Sequence, residues 1–379
     1  MFLIALFWIT LFWTLGGYLI SKFVLSGPDL SGYDTPVGEN FEQHADDSAA
    51  DAQFMSSIAS LRKATLATKS MKSGLAKARE FADNLSSDLQ TDSEFKQVIV
   101  NGVKCEWTLA TNSTTSRRIL FMHGGAFLLG SPKGHRRFTD QLAKLANAAV
   151  LSVDYRMLPE SSRSKGIKDC QTAYKWILEN GPDGPENLDL LIIAGDSAGG
   201  NLAMMLSNWS KSLSIRRPDG VIGFSPSLDA TMASPTISAN LKTDRILGEG
   251  LGALLRIPRI IRNWIGLFAA RMNPANPLSS PLFGDLTDLP KTLIHASSSE
   301  MLLGESIRYT NKARAGGSDV TLQIWQNQLH DWHLFNMHVG SGVSAWNEVK
   351  KFIDSLSSNV ANSTQTEAAL SYAKRSANG

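Results

Sequence analysis

Cysteine is scarce in this chain: Cys105 and Cys170 are the only two among 379 residues. A disulfide framework is excluded, and no Cys/His cluster has the spacing of a zinc site. Charge of one sign is also missing, since 37 basic against 35 acidic residues leave a formal net charge of +2. No basic patch interleaves with aromatics, so nucleic acid is excluded as a partner class. No internal repeat is visible. What is present, 43% hydrophobic and 19% charged residues, suits a globular protein of one large or two modest domains.

A different absence marks the N-terminus. Met1 to Ser21 contains no charged side chain, and the apolar run continues past Lys22 to Leu25. That length spans a hydrocarbon core of roughly 30 Å as a helix. The stretch lacks the basic n-region of a cleaved signal peptide, and Ser26-Gly27-Pro28-Asp29 offers no A-x-A site. Residues 1–25 are expected to form a single-pass transmembrane anchor, with Lys22 too isolated to set its sidedness. Residues 26–45, rich in Gly, Pro, Asp and Ser, read as a linker. Residues 46–357 read as the folded domain and 358–379 as a flexible tail.

Within the domain, apolar residues first recur at helical spacing: Phe54, Ile58 and Leu61, then Met71, Leu75, Ala78, Ala82 and Leu85. Val98 to Trp107 has Asn101-Gly102 between two β-rich runs, a hairpin signal. Apolar strands follow at 118–122, 148–153, 190–193, 220–224, 292–295 and 320–325. Helical stretches at 136–147, 167–180, 200–211, 303–315 and 342–356 separate them. Such alternation implies right-handed crossovers and a mostly parallel sheet, with the hairpin at one edge. Residues 230–290 break the rhythm at a length typical of lids and binding elements.

One stretch carries chemistry. Leu190 to Ala194 reads as a buried strand, Gly195 and Gly199 flank Ser197, and Asn201 to Leu206 continues at helical spacing. Strand, sharp turn and helix around G-x-S-x-G push one hydroxyl out at the top of a sheet. Ser197 is the candidate nucleophile, and it needs a base held by a third group. His330, in the short loop between the last strand and the last helix, is placed for that role; His333 is the rival. The acid belongs after the preceding strand, where Glu300 stands at the strand's end and Glu305 on the following helix is the alternative. The oxyanion of the attacked carbonyl needs fixed N–H donors. His123-Gly124-Gly125-Ala126 supplies the Gly124 and Gly125 amides, and Ala198 the third. His123 itself reads as a brace for this loop.

Together these motifs resemble the hormone-sensitive-lipase-like family of α/β-hydrolases, over about residues 95 to 355. His123-Gly124-Gly125-Ala126-Phe127 resembles the family's H-G-G-G/A oxyanion motif, and Gly195-Asp196-Ser197-Ala198-Gly199-Gly200 its nucleophile signature. Asp154-Tyr155-Arg156 with Pro159-Glu160 is similar to its D-Y-R-x-x-P-E stretch. The segments Pro277 to Leu282 and Asp288-Leu289-Pro290 look like the family's return from cap to sheet. The resemblance implies an α/β-hydrolase fold with flanking helices, triad roles for Ser197, Glu300 and His330, and oxyanion amides from Gly124, Gly125 and Ala198. It also implies a helical cap from 46–90 and part of 230–275. Glu300-Met301-Leu302 departs from the D-P-L of many members and is similar to a subset with Glu. The expected activity is cofactor-free, metal-free carboxylesterase hydrolysis of small-molecule esters of short to medium chain, or lactones, by an acyl-enzyme. The alternatives are an amidase or deacetylase on the same triad, and a non-catalytic ligand receptor on the same fold.

Overall fold

The computed structural model describes residues 14–213 and 215–356. Nine strands form its central sheet: β1 (Glu39–Phe41), β2 (Glu94–Val100), β3 (Val103–Leu109), β4 (Thr114–Met122), β5 (Ala148–Val153), β6 (Leu190–Asp196), β7 (Gly220–Phe224), β8 (Lys291–Ser297) and β9 (Val320–Trp325). Their order across the sheet is β1-β9-β8-β7-β6-β4-β5-β3-β2. All neighbours from β1 to β5 pair parallel, while β3 runs antiparallel to β5 and β2 antiparallel to β3. The Asn101-Gly102 hairpin thus closes one edge, as its turn signal requires.

Central strands are apolar throughout because both faces are covered. Leu191 and Ile193 of β6 join one core cluster, while Leu190, Ile192 and Ala194 join the other, and β4 divides its residues in the same way. The first cluster is roofed by α4 (Arg163–Ile177), α5 (Ala198–Ser212) and α8 (Leu303–Ala315). The second is roofed by α3 (Arg136–Ala146) and α9 (340–356), the latter through Trp346, Val349, Phe352 and Ile353. Each such fully buried aliphatic side chain contributes about 1.5–3 kcal/mol. Cys105 and Cys170 are buried and free in the first cluster, and burial pushes the Cys105 thiol up to about 12.

Among the described residues, four helices of nine or more residues lie outside these layers: α1 (Asp47–Leu66), α2 (Met71–Asp83), α6 (Leu247–Leu255) and α7 (Arg259–Ala270). They come from the two stretches whose pattern departs from strand–helix alternation. An Arg62–Glu249 ion pair joins α1 to α6. Polar contacts tie this group to the loops at the strand ends. Asp47 accepts from Gln328 and Asp51 from Asn336 at 2.9 and 2.8 Å. Arg79 of α2 donates to the Leu128 and Leu158 carbonyls and forms a bidentate pair with Glu160. Asn240 donates to the Ser298 and Glu300 carbonyls.

Two expectations change. Residues 26–45 are no free linker: β1 pairs with β9, and Asp34 holds Arg308 of α8 at 2.6 Å. A three-residue edge strand has no periodic signal to betray it. Residues 14–20 are helical and continue into a π-helical turn, Ser21–Leu25, that packs on α7. Ser21 Oγ donates to the Ile260 carbonyl, and Trp264 to that of Gly17. Among the described residues, no helix is long and apolar enough to cross a membrane. The first thirteen residues of the expected anchor, and the expected tail, lie outside the described residues.

Candidate active site

Ser197 follows β6 directly and holds φ +49° and ψ −113°, outside both the helical and extended regions. Such strain persists only where the surroundings hold it. The Ser197 amide donates to the Phe224 carbonyl at 2.8 Å, and its own carbonyl accepts from Asn201 at 3.1 Å. Glycine is required at 199 for space: a Cβ there would fall on the Met122 carbonyl oxygen at the end of β4. The turn therefore presses the first turn of α5 against β4 and lifts the hydroxyl clear of the sheet.

His330 arrives from the loop after β9. In the neutral tautomer that serine attack requires, its Nδ1–H donates to Glu300 Oε2 at 2.8 Å, and Nε2 accepts from Ser197 Oγ at 2.9 Å. Glu300 is fully buried, and its other oxygen accepts the Ser297 amide at 2.9 Å. The rivals lie elsewhere. His333 Nε2 meets His295 Nδ1 at 2.9 Å, and burial holds both imidazoles far below the ordinary range, hence neutral. Glu305 accepts the Leu228 and Asp229 amides at 2.6 and 3.0 Å, away from any imidazole. Burial and the nearby Asp229 push it well above the usual carboxylate range.

The oxyanion loop corrects one expectation. Gly124 is not a free donor, because its amide is given to Asp196 Oδ1 at 2.9 Å. Gly125 (φ +108°) and Ala126 (φ +55°) then turn left-handed in succession. Among the described residues, the amides of Gly125, Ala126 and Ala198 enter no backbone hydrogen bond. Ala198 is also the first residue of α5, where the helix dipole favours negative charge. His123 does brace the loop: its Nδ1 contacts the Gly124 carbonyl at 2.8 Å, its ring stacks on Tyr155 at 4.3 Å, and Tyr155 Oη donates to the His123 carbonyl. Burial pushes His123 down to about 3.

Three residues of the site are not legible from spacing. Asp196 joins the oxyanion loop to the serine turn and faces His135 Nε2 at 3.2 Å. Burial opposes its charge, but His135, His123 and the Gly124 amide together outweigh burial and keep Asp196 below the usual range. His135 itself reads from sequence as a polar-loop residue; it is buried at the start of α3. Asp331 follows His330 in left-handed backbone (φ +57°), with Oδ2 3.1 Å from His330 Nε2.

Residues 119–334 match the sequence model of the α/β-hydrolase fold family. The chain is 32% identical over 263 residues to an esterase of Acinetobacter venetianus, covering 69% of this chain and 82% of that one. It is 30% identical over 243 residues to the esterase LipU of Mycobacterium tuberculosis, covering 63% and 78%. Among solved structures it is similar to a hormone-sensitive lipase from a metagenome library, with TM-score 0.67, 28% identity and coverage of 82% and 98%. An esterase of the bacterial hormone-sensitive lipase family superposes with TM-score 0.66 at 25% identity, covering 79% and 96%. The chain belongs to the hormone-sensitive-lipase-like α/β-hydrolases. It is a carboxylic ester hydrolase. In this hydrolase the three side chains that reach one another, Ser197, His330 and Glu300, come from the ends of β6, β9 and β8. That is the carboxyl edge where parallel α/β sheets gather their chemistry.

Proposed function

We propose that the protein is a serine carboxylesterase that works through an acyl-enzyme on Ser197. His330 takes the serine proton as Oγ attacks the ester carbonyl and returns it to the leaving alkoxide. Water, deprotonated by the same imidazole, then releases the acid. Glu300 fixes the tautomer and stabilises the imidazolium. Gly125, Ala126 and Ala198 donate to the oxyanion, each such donor contributing about 2.7–4 kcal/mol. The observation that carries this reading is the continuous path of 2.9 Å from Ser197 Oγ to His330 Nε2 and 2.8 Å from His330 Nδ1 to Glu300 Oε2. A fluorophosphonate probe is expected to label Ser197 in the folded protein and to fail in Ser197→Ala; no labelling of the folded wild type overturns the assignment.

The helices above the site support a reading of the substrate class. The pieces from 46–90 and 230–275 act as a cap, since each is tied to a loop bearing one part of the machinery. Helices held over the catalytic loops in this way would favour short to medium acyl chains, or lactones. A p-nitrophenyl ester series is expected to peak below about eight carbons; a rise towards long chains refutes it.

The proposal includes residence at a membrane. The uncharged run that begins at Met1 leads into residues docked on α7. Leu19, Phe23 and Val24 on one side and Ile261, Ile265 and Phe268 on the other are exposed large apolar side chains. Exposed apolar surface of this kind marks membrane or partner contact. The full chain is expected to float with lipid vesicles, less so as Phe23→Asp/Phe268→Asp; a chain that stays in the aqueous fraction contradicts the placement.

A further inference from the structure

Asp331 is a half-buried carboxylate, its side chain 14% exposed, that the proposed chemistry leaves unused. Left-handed backbone immediately after His330 folds it back over the imidazole. Its Oδ2 stands 3.1 Å from Nε2, the same nitrogen that faces Ser197 Oγ at 2.9 Å. Its Oδ1 is buried without a hydrogen-bond partner among the described residues. The imidazole therefore sits between two carboxylates, Glu300 on Nδ1 and Asp331 on Nε2. An ionised oxygen facing the Nε2 lone pair is repulsive, so a proton belongs between them. While it is there, Nε2 either carries the proton or accepts it from Asp331. In neither state can it accept the serine hydroxyl.

We propose that Asp331 is a positioning residue that shares Nε2 with Ser197, holds a proton on that edge of His330, and so delays release of the base to alkaline pH. The inference rests on the triad reading above. The proton balance is simple. Loss of the shared proton to solvent leaves Asp331 ionised and His330 neutral, with its Nε2 lone pair on Ser197. During attack the serine proton moves onto Nε2, where the Asp331 carboxylate stabilises the imidazolium, and then onto the leaving alkoxide.

The groups around the pair point the same way. Asp196 from the end of β6 and Glu300 from the loop after β8 both disfavour an ionised Asp331, while His135 at the start of α3 lies near it. Burial pushes Asp331 up to about 7, against the pull of His330. Burial works against the imidazolium, yet Asp331 and Glu300 outweigh it and hold His330 well above the ordinary range. Two groups this close titrate as one unit. Glu305 of α8 adds a further acidic neighbour on the Glu300 side.

The test is the pH profile of kcat/KM for p-nitrophenyl acetate, in wild type, Asp331→Asn and Asp331→Ala, from about pH 5 to about pH 10. The wild-type acid limb is expected above the ordinary imidazole value of about 6.5. Removing the carboxylate is expected to move it down, so that at about pH 6 the fraction of plateau activity retained rises at least about tenfold. A merely structural role lowers the plateau and leaves the limb in place; that result overturns the proposal. If neither variant folds, the wild type still decides, because a His330 imidazole proton resonance titrating near about 6.5 also overturns it. Fluorophosphonate labelling separates the two readings. Absence of labelling at Ser197 at every pH fails the triad, whereas labelling whose pH dependence is the same with and without Asp331 fails this inference alone.

Discussion

The two buried glutamates of this site make opposite predictions from nearly the same position. Glu300 pairs with His330 at 2.8 Å, whereas among the described residues Glu305 accepts hydrogen bonds only from the Leu228 and Asp229 amides. In Glu300→Gln the volume is kept, but an amide NH2 facing Nδ1 forces the proton to Nε2, the nitrogen that must accept from Ser197. A carboxylate-to-amide change of this kind in a serine-protease triad drops kcat about 10⁴-fold, which at about 1.36 kcal/mol per decade is about 5.4 kcal/mol of transition-state stabilisation. In Glu305→Gln the amide oxygen keeps both backbone donors, and the NH2 takes the place of Oε1, which has no partner among the described residues. No bond to the imidazole changes, so kcat/KM is expected to fall by less than about threefold, about 0.65 kcal/mol. The assay is steady-state hydrolysis of p-nitrophenyl butyrate at the pH optimum, with melting temperatures as the check on folding. If the two variants lose activity equally, or Glu305→Gln loses more, Glu300 is not the acid.

Glu305 also makes a prediction about stability. Its folded-state pKa is raised by burial above the free value of 4.5, so the folded protein holds a proton that the unfolded chain has released. Between those two values stability falls as pH rises, by about 1.4 kcal/mol per unit. In Glu305→Gln the decline of melting temperature over that window is expected to flatten; an unchanged slope refutes the upward shift of Glu305. In Gly199→Ala the new methyl collides with the backbone of β4, so a loss of more than about 3 kcal/mol in chemical denaturation is expected, and a stable, active variant refutes the account of the turn. Arg79→Ala frees the Leu128 carbonyl three residues beyond Gly125. Since small misplacement of a catalytic loop is costly, kcat/KM is expected to fall about tenfold or more with little change in melting temperature, because the ion pair's Glu160 side is solvent-exposed. Unaltered kinetics refute a role for α2 in holding the oxyanion loop.

What the sequence made legible was local. The β-branched run of β6 and the glycine at 199 record a buried strand and a turn with no room for a side chain, and both lie within ten residues of Ser197. The order of strands after it carried Glu300 and His330 to loops beside Ser197, because connections in a parallel sheet bring every strand end to one edge. What escaped was set by approach between distant segments. The Gly124 amide is lost as a donor only because Asp196, seventy-two residues on, reaches it at the end of the neighbouring strand. His135 looks solvated in its polar loop, and only the meeting of α3 with β6 buries it against Asp196. Asp331 gives no signal beyond an acidic residue beside a histidine; its meaning lies in one left-handed dihedral. Edge strand β1 is too short for any pattern.

The account turns on a covalent acyl group at one serine. Mixing enzyme with p-nitrophenyl acetate in a stopped flow, quenching in acid and digesting for mass spectrometry tests it most directly. The expected result is a burst of p-nitrophenol stoichiometric with enzyme and an acetyl group on the peptide containing Ser197, both absent in Ser197→Ala. Turnover by the wild type with the acetyl group on another residue, or a burst that survives in Ser197→Ala, would contradict it.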